Sequence, residues 1–149
     1  MGFLCYTNSS FKFLIGEWYL ERFVLSQSEI FYTMKGSVLF TKLERNKLLY
    51  REEVFYKVPE TDNDIKGYRK YIYHLKNKKE IDVYFYQSST LFHQLLSSNR
   101  GLAEAQHFCR QDLYKGFYDF RLEDNIKISY HVLGPHKDYI ITTNLKRII

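Results

Sequence analysis

The residues that could do chemistry in this chain are polar side chains set at every second position within aromatic and apolar runs. Arg22 follows Trp18 and Leu20 at alternate positions, Glu52 follows Tyr50, Arg69 precedes Tyr71 and Tyr73, His107 precedes Cys109, and Lys137 precedes Tyr139. A period of two puts the members of each set on one face of a strand. If those faces point inward, an enclosed space holds Arg22, Arg69, Lys137, Glu52, His107 and several phenols. Unpaired buried charge is costly, so such an interior must be ion-paired, wet or occupied.

The occupied reading is a pocket for a small anionic or aromatic molecule. Arg offers a planar fork that matches carboxylate or phosphate, and tyrosine hydroxyls orient the remainder. Its residues would be Arg22, Glu52, Arg69, Tyr71, His107, Tyr114 and Lys137. The same residues fit a structural account, in which Arg22, Glu52 and Arg69 form an ion-pair network or the faces point outward. Both accounts stand at this level.

His107 and Cys109 share a strand face, and both residue types bind metals or act in catalysis. His93 and His131 are conceivable further ligands, but no Cys-x-x-Cys spacing accompanies them, and no metal site is assigned. A small enzyme using the same cavity would take His107 as acid or base, with Asp112 or Cys109 beside it. Asp112 serves equally well as a turn residue after Arg110-Gln111. A heme would take His107, His93 or His131 as axial ligand, and nothing in the spacing separates heme from another flat ligand. A third reading is a protein-interaction module without ligand, marked by an exposed apolar patch.

The elements that must position these residues follow from composition and period. The 149 residues are 45% hydrophobic, enough for one domain with a sizeable core. With 14 Tyr and 12 Phe, the chain favours strands. The net charge is +5, but the densest basic cluster, Lys76-Asn77-Lys78-Lys79, falls on an expected hairpin tip. A nucleic-acid footprint needs a patch or stripe, so a small molecule is the expected partner and nucleic acid is not. Cys5 and Cys109 lie far apart and read as free thiols. Met1 to Ser10 has no basic start and no long apolar core, and no run approaches the roughly 18 apolar residues of a spanning helix. The expectation is a soluble cytoplasmic protein.

Residues 1–8 read as a loose arm and 9–149 as one domain. Ser9-Ser10 would cap a single helical turn ending at Gly16. Strands are expected from Trp18 onward, then over 33–43 (with Gly36 a possible bulge), 48–57, 65–76, 80–86, 91–96, 102–110, 113–122, 126–133 and 137–147. Polar turns separate them, among them Ser26 to Glu29, Val58 to Asp64 and Ser97 to Gly101. The connections are too short for crossover helices, so neighbouring strands should be antiparallel. A closed up-and-down barrel of about ten strands removes the sheet edges; a flattened sandwich is the competitor.

The motifs resemble those of a family of bacterial and fungal single-domain proteins known as a domain of unknown function, with a calycin-like (lipocalin-like) look. They are Phe13-Leu14-x-Gly16-x-Trp18-x-Leu20-x-Arg22, Tyr50-x-Glu52, Arg69-x-Tyr71-x-Tyr73, His107-x-Cys109-x-x-Asp112-x-Tyr114, and Gly134-Pro135-x-Lys137-Asp138-Tyr139 leading to Arg147. Two positions depart from the pattern: Tyr130 stands where a Trp is expected, and Gln87-Ser88-Ser89 lacks a basic residue. The resemblance implies a calycin-like barrel, with Gly16, Trp18 and Arg147 as structural residues at its base, and brings no activity.

Overall fold

A computed structural model of the chain describes residues 8–26, 29–57, 60–77, 79–97 and 101–148. The expected arm up to residue 7 with Cys5, and the loop positions 27–28, 58–59, 78 and 98–100, lie outside the described residues, as do the side chains of Ser9 and Ser10. Asn8 belongs to a 3-10 helix, Asn8–Leu14, rather than to the arm. The strands are β1 (Gly16–Ser26), β2 (Glu29–Glu44), β3 (Lys47–Lys57), β4 (Asp64–Leu75), β5 (Glu80–Phe85), β6 (Leu91–Ser97), β7 (Leu102–Cys109), β8 (Asp112–Leu122), β9 (Asn125–Gly134) and β10 (Lys137–Arg147).

Each strand pairs antiparallel with its neighbours in sequence, and β10 pairs with β1 to close a barrel. The expected strand order and antiparallel sense are therefore realised, and the closed form prevails over the sandwich. Positive φ at Asn46, Ser89 and Arg110 marks tight polar turns between successive strands. The expected loop around Ser26 is shorter than its composition implies. An irregularity after Val24, where Val24 faces Tyr32 and Leu25 faces Ile30, lets the β1–β2 ladder continue to Ser26 and Glu29.

Alternation decides the core. Trp18 and Leu20 on β1, Val38 and Phe40 on β2, Leu48 and Tyr50 on β3, Tyr73 and Leu75 on β4, and Leu145 on β10 are buried inward. The helix plugs one end with Phe11 and Leu14, Phe11 meeting the Phe120 ring edge-on at 5.6 Å. At that base, Trp18 Nε1 donates to the Leu14 carbonyl at 2.9 Å. The ladder sets Trp18 opposite Arg147, whose guanidinium lies 4.2 Å from the indole centroid. Arg147 also donates to the carbonyls of Phe13 and Ile15. Gly16 has φ +129°, and a side chain there would press on that guanidinium.

Gly36 is not a bulge. It pairs in register with Leu20 and Val54, and a Cβ there would collide with the Glu53 carbonyl and the Val54 backbone. It lies between Met34 and Val38 on the inner side of β2, so it leaves that stretch bare where β3 approaches most closely.

The wall is uneven. β4 pairs with β5 only from Tyr71 to Leu75, which leaves its Asp64 to Lys70 portion without a β5 partner. The short β5–β6 hairpin therefore makes a low side between two taller ones.

Candidate ligand-binding site

Residues of β1 to β6 and β8 to β10 line a chamber of about 280 Å³. Five of the expected residues line it: Arg22, Glu52, Arg69, Tyr71 and Tyr114. Tyr50, Tyr73, Tyr118 and Tyr130 complete an aromatic lining. The volume falls just under the range of about 300–1,000 Å³ common for small-molecule pockets.

An ion pair forms one wall. Arg22 Nη1 and Nη2 donate to the two Glu52 oxygens at 2.9 and 2.7 Å, and Arg22 Nε donates to Thr143 Oγ1 at 2.8 Å. The ladder places Thr143 directly opposite Arg22. Tyr50 donates its hydroxyl to Glu52 at 2.6 Å. Burial alone would raise the Glu52 pKa, but the bonds and charge of Arg22, with the Tyr50 hydroxyl, outweigh it and hold the carboxyl below its usual value. The wall is thus a paired, neutral unit. Arg69, exposed at the chamber mouth, adds positive charge toward Glu52 and forms no ion pair among the described residues.

The opposite wall is phenolic. The Tyr118 and Tyr130 hydroxyls hydrogen-bond to each other. Burial pushes the pKa values of Tyr50, Tyr73, Tyr118 and Tyr130 well above the ordinary phenol, so all four remain protonated. Tyr71 stacks on Phe92 at 5.5 Å with ring planes 10° apart, at the border of the chamber.

His93 is 1% exposed, and neither ring nitrogen has a hydrogen-bond partner among the described residues. It stacks on Tyr130 at 5.3 Å, and its ring lies 5.7 Å from that of His107. Burial, and secondarily the neighbouring His107, push its pKa down to about 4, so the ring is neutral at neutral pH. Each unmet polar group of this kind costs about 1–3 kcal/mol.

The remaining candidates are dispersed. Lys137 does not line the chamber; its ammonium meets Asp112 at 2.8 Å beside the Gly134-Pro135 turn. Asp112 is therefore engaged by Lys137 and not by His107, which removes the expected acid–base couple. Cys109 is an exposed free thiol at the end of β7. His131 stands on the outer side of β9 and bonds Asp138 at 2.8 Å, which takes it away from any ligand held in the chamber. Among the described residues, no group of three or more His, Cys, Asp or Glu gathers as a metal site would. No helix is long and apolar enough to cross a membrane.

Sequence reasoning does not single out Phe92, Tyr118 or Tyr130 for this chamber. Alternation along β8 and β9 carries a signal for the two tyrosines. Phe92 carries none: Val83 pairs with His93 and Tyr84 with Leu91, so Phe92 is an unpaired extra residue. Bulges of this kind re-aim a side chain, and here adjacent residues both reach the interior.

Fold and site together define a closed, ten-stranded, lipocalin-like antiparallel barrel with a polar-aromatic chamber. The chain belongs to a family of unknown function (DUF6314), whose model matches residues 14–147. Among solved structures, an S-type phycobiliprotein lyase, CPES, from Guillardia theta is similar with a TM-score of 0.68 at 9% identity, over 93% of this chain and 90% of that one. A protein of unknown function from the DUF3598 family of Nostoc punctiforme is similar with a TM-score of 0.62 at 12% identity, over 92% of this chain and 48% of that one. At these identities the likeness is one of fold. No curated protein sequence matches the chain.

Proposed function

We propose that this protein binds a small planar aromatic molecule in the barrel chamber, with any acidic substituent directed at Arg69 in the mouth. The observation that supports this most is the chamber of about 280 Å³ whose lining pairs Arg22 with Glu52 and otherwise combines tyrosine rings with aliphatic side chains such as Val24, Val54, Val83 and Ile128. A charge-neutral wall favours an uncharged ring system inside. The sequence alone suggested a partly cationic interior; with Arg22 held by Glu52, the positive charge offered to a ligand moves outward to Arg69. The likeness to a phycobiliprotein lyase is compatible with this reading through the fold only.

The enzymatic alternative has less behind it, because Asp112 is engaged by Lys137 and Cys109 is exposed at a strand end.

Thermal unfolding with 2-naphthol and 2-naphthoate tests the proposal. A ligand at 100 times its Kd stabilises by about 2.7 kcal/mol, which is several degrees for a domain of this size. Both probes should raise the midpoint, and Arg69→Ala should remove the advantage of naphthoate over naphthol. If neither probe moves the midpoint, nor any member of a wider panel of planar aromatics, the proposal fails.

A further inference from the structure

β6 and β7 are neighbours in the barrel that barely pair. Among the described residues, their ladder consists of Leu96 with Glu104 and Ser97 with Ala103. Continuing that register would set Gln94 opposite Gln106 and His93 opposite His107, yet no ladder forms there. Two strand edges instead diverge from a common base. The wedge between them is a cleft of about 860 Å³, walled by Leu91, Phe92, Gln94, Gln106, His107 and Phe108.

Phe92 lines both this cleft and the chamber. One side chain, turned inward by the β6 bulge, therefore stands between the two spaces. His93 follows it with both ring nitrogens unmet, at nine-tenths burial and more. A neutral imidazole carries one donor and one acceptor. Among the described residues these groups find no hydrogen-bond partner to offset their burial.

We propose that the β6–β7 seam is the second arm of the binding site. Its ligand is an elongated planar molecule with two linked ring systems, one in the chamber and one between β6 and β7, joined past Phe92, which lines both spaces. This rests on the chamber reading and extends it. Among the described residues the cleft lining includes Glu80 and Glu104 and no Lys or Arg, which favours a neutral or cationic outer ring. An acidic substituent belongs at the other opening, beside Arg69.

The test closes the seam. Gln94→Cys and Gln106→Cys are combined with Cys5→Ser and Cys109→Ser, so that oxidation links β6 to β7 and reduction frees them. Thioflavin T, an elongated cation with two linked rings, is the long probe, and 2-naphthol is the short one. Oxidation should weaken thioflavin T binding tenfold or more, reduction should restore it, and the 2-naphthol midpoint shift should stay the same in both states. Gln106→Trp, which fills the cleft without a cross-link, should also weaken only the long probe. If thioflavin T binds equally in the oxidised and reduced forms and to Gln106→Trp, while 2-naphthol binds, the seam proposal alone is overturned. If neither 2-naphthol, 2-naphthoate nor any member of the wider panel of planar aromatics binds to any form, the chamber reading falls and the seam proposal with it.

Discussion

Arg22 on β1 and Glu52 on β3 meet across the inner side of β2, a strand to which neither belongs. Arg22 is in register with Met34 and Glu52 with Val38, so the pair spans the stretch occupied by Gly36. The guanidinium and carboxylate are bidentate, with side-chain exposures of 13% and 1%. One arginine thus ties β1 to β3 over the top of β2 and, through Thr143, to β10 as well.

Breaking this pair should be costly in an asymmetric way. Removing one partner leaves the other buried and uncompensated, at about 3–5 kcal/mol. Arg22→Ala and Glu52→Ala should each lower the urea midpoint by a corresponding amount. The double variant Arg22→Met/Glu52→Leu should lose clearly less than the sum of the two. Additive losses would mean that the two side chains act independently.

The same pair predicts a pH dependence. The Glu52 pKa is lower in the folded than in the unfolded chain, where it sits at about 4.3. Its contribution is therefore complete above about pH 4.3 and disappears as pH falls through the lower folded value. The stability gap between the parent and Glu52→Gln, read by urea unfolding, should narrow in acid. A gap constant from pH 7 to pH 3 would contradict the assignment.

His93 acts over a different window. Its folded pKa of about 4 lies below an unfolded value of about 6.5. The folded state binds fewer protons, so stability is complete above pH 6.5 and declines as pH falls toward 4, by up to about 1.4 kcal/mol per pH unit. His93→Phe should flatten the curve between pH 6.5 and 4.5 while leaving the region above pH 7 with its original slope. An unaltered curve would place His93 in contact with solvent.

At the base, Arg147→Met removes a cation–π contact worth about 0.5–2 kcal/mol along with the carbonyl bonds that fasten the helix. Gly16→Ala forces a side chain into a positive-φ site against the guanidinium. Each should lower the melting midpoint by several degrees, and Trp18 fluorescence should report the loosening in both. Wild-type emission in Arg147→Met would argue against the stacked geometry.

Much of the architecture was legible because period two is a local signal. Trp18, Leu20 and Arg22 announce their shared face, as do Tyr50 and Glu52, and the polar turns mark where neighbours must reverse. What stayed hidden depends on pairing between strands. The Gly36 backbone approach, the engagement of Asp112 by Lys137, and the loss of ladder between β6 and β7 are relations between segments, invisible to spacing along one of them. The Phe92 bulge is hidden for a related reason. One inserted residue shifts the alternation of β6, so Phe92 and His93, which should face opposite ways, come to the same interior. The ion-pair account and the pocket account of Arg22, Glu52 and Arg69 both survive in part: Arg22 and Glu52 neutralise each other, and Arg69 remains at the mouth.

The pairing of β1 with β10 carries a kinetic consequence. Trp18 finds Arg147, and Arg22 finds Thr143, only when segments more than a hundred positions apart in the chain come together. Joining such distant segments costs conformational entropy before any contact repays it, and all-β proteins dominated by distant pairings fold in milliseconds to seconds. The hairpins from β2 to β9 can zip locally, but the chamber has no enclosed interior until β10 reaches β1. Arg22 therefore meets Glu52 without its Thr143 brace until that last step, and rapid-mixing refolding should show Trp18 becoming buried in the slowest phase.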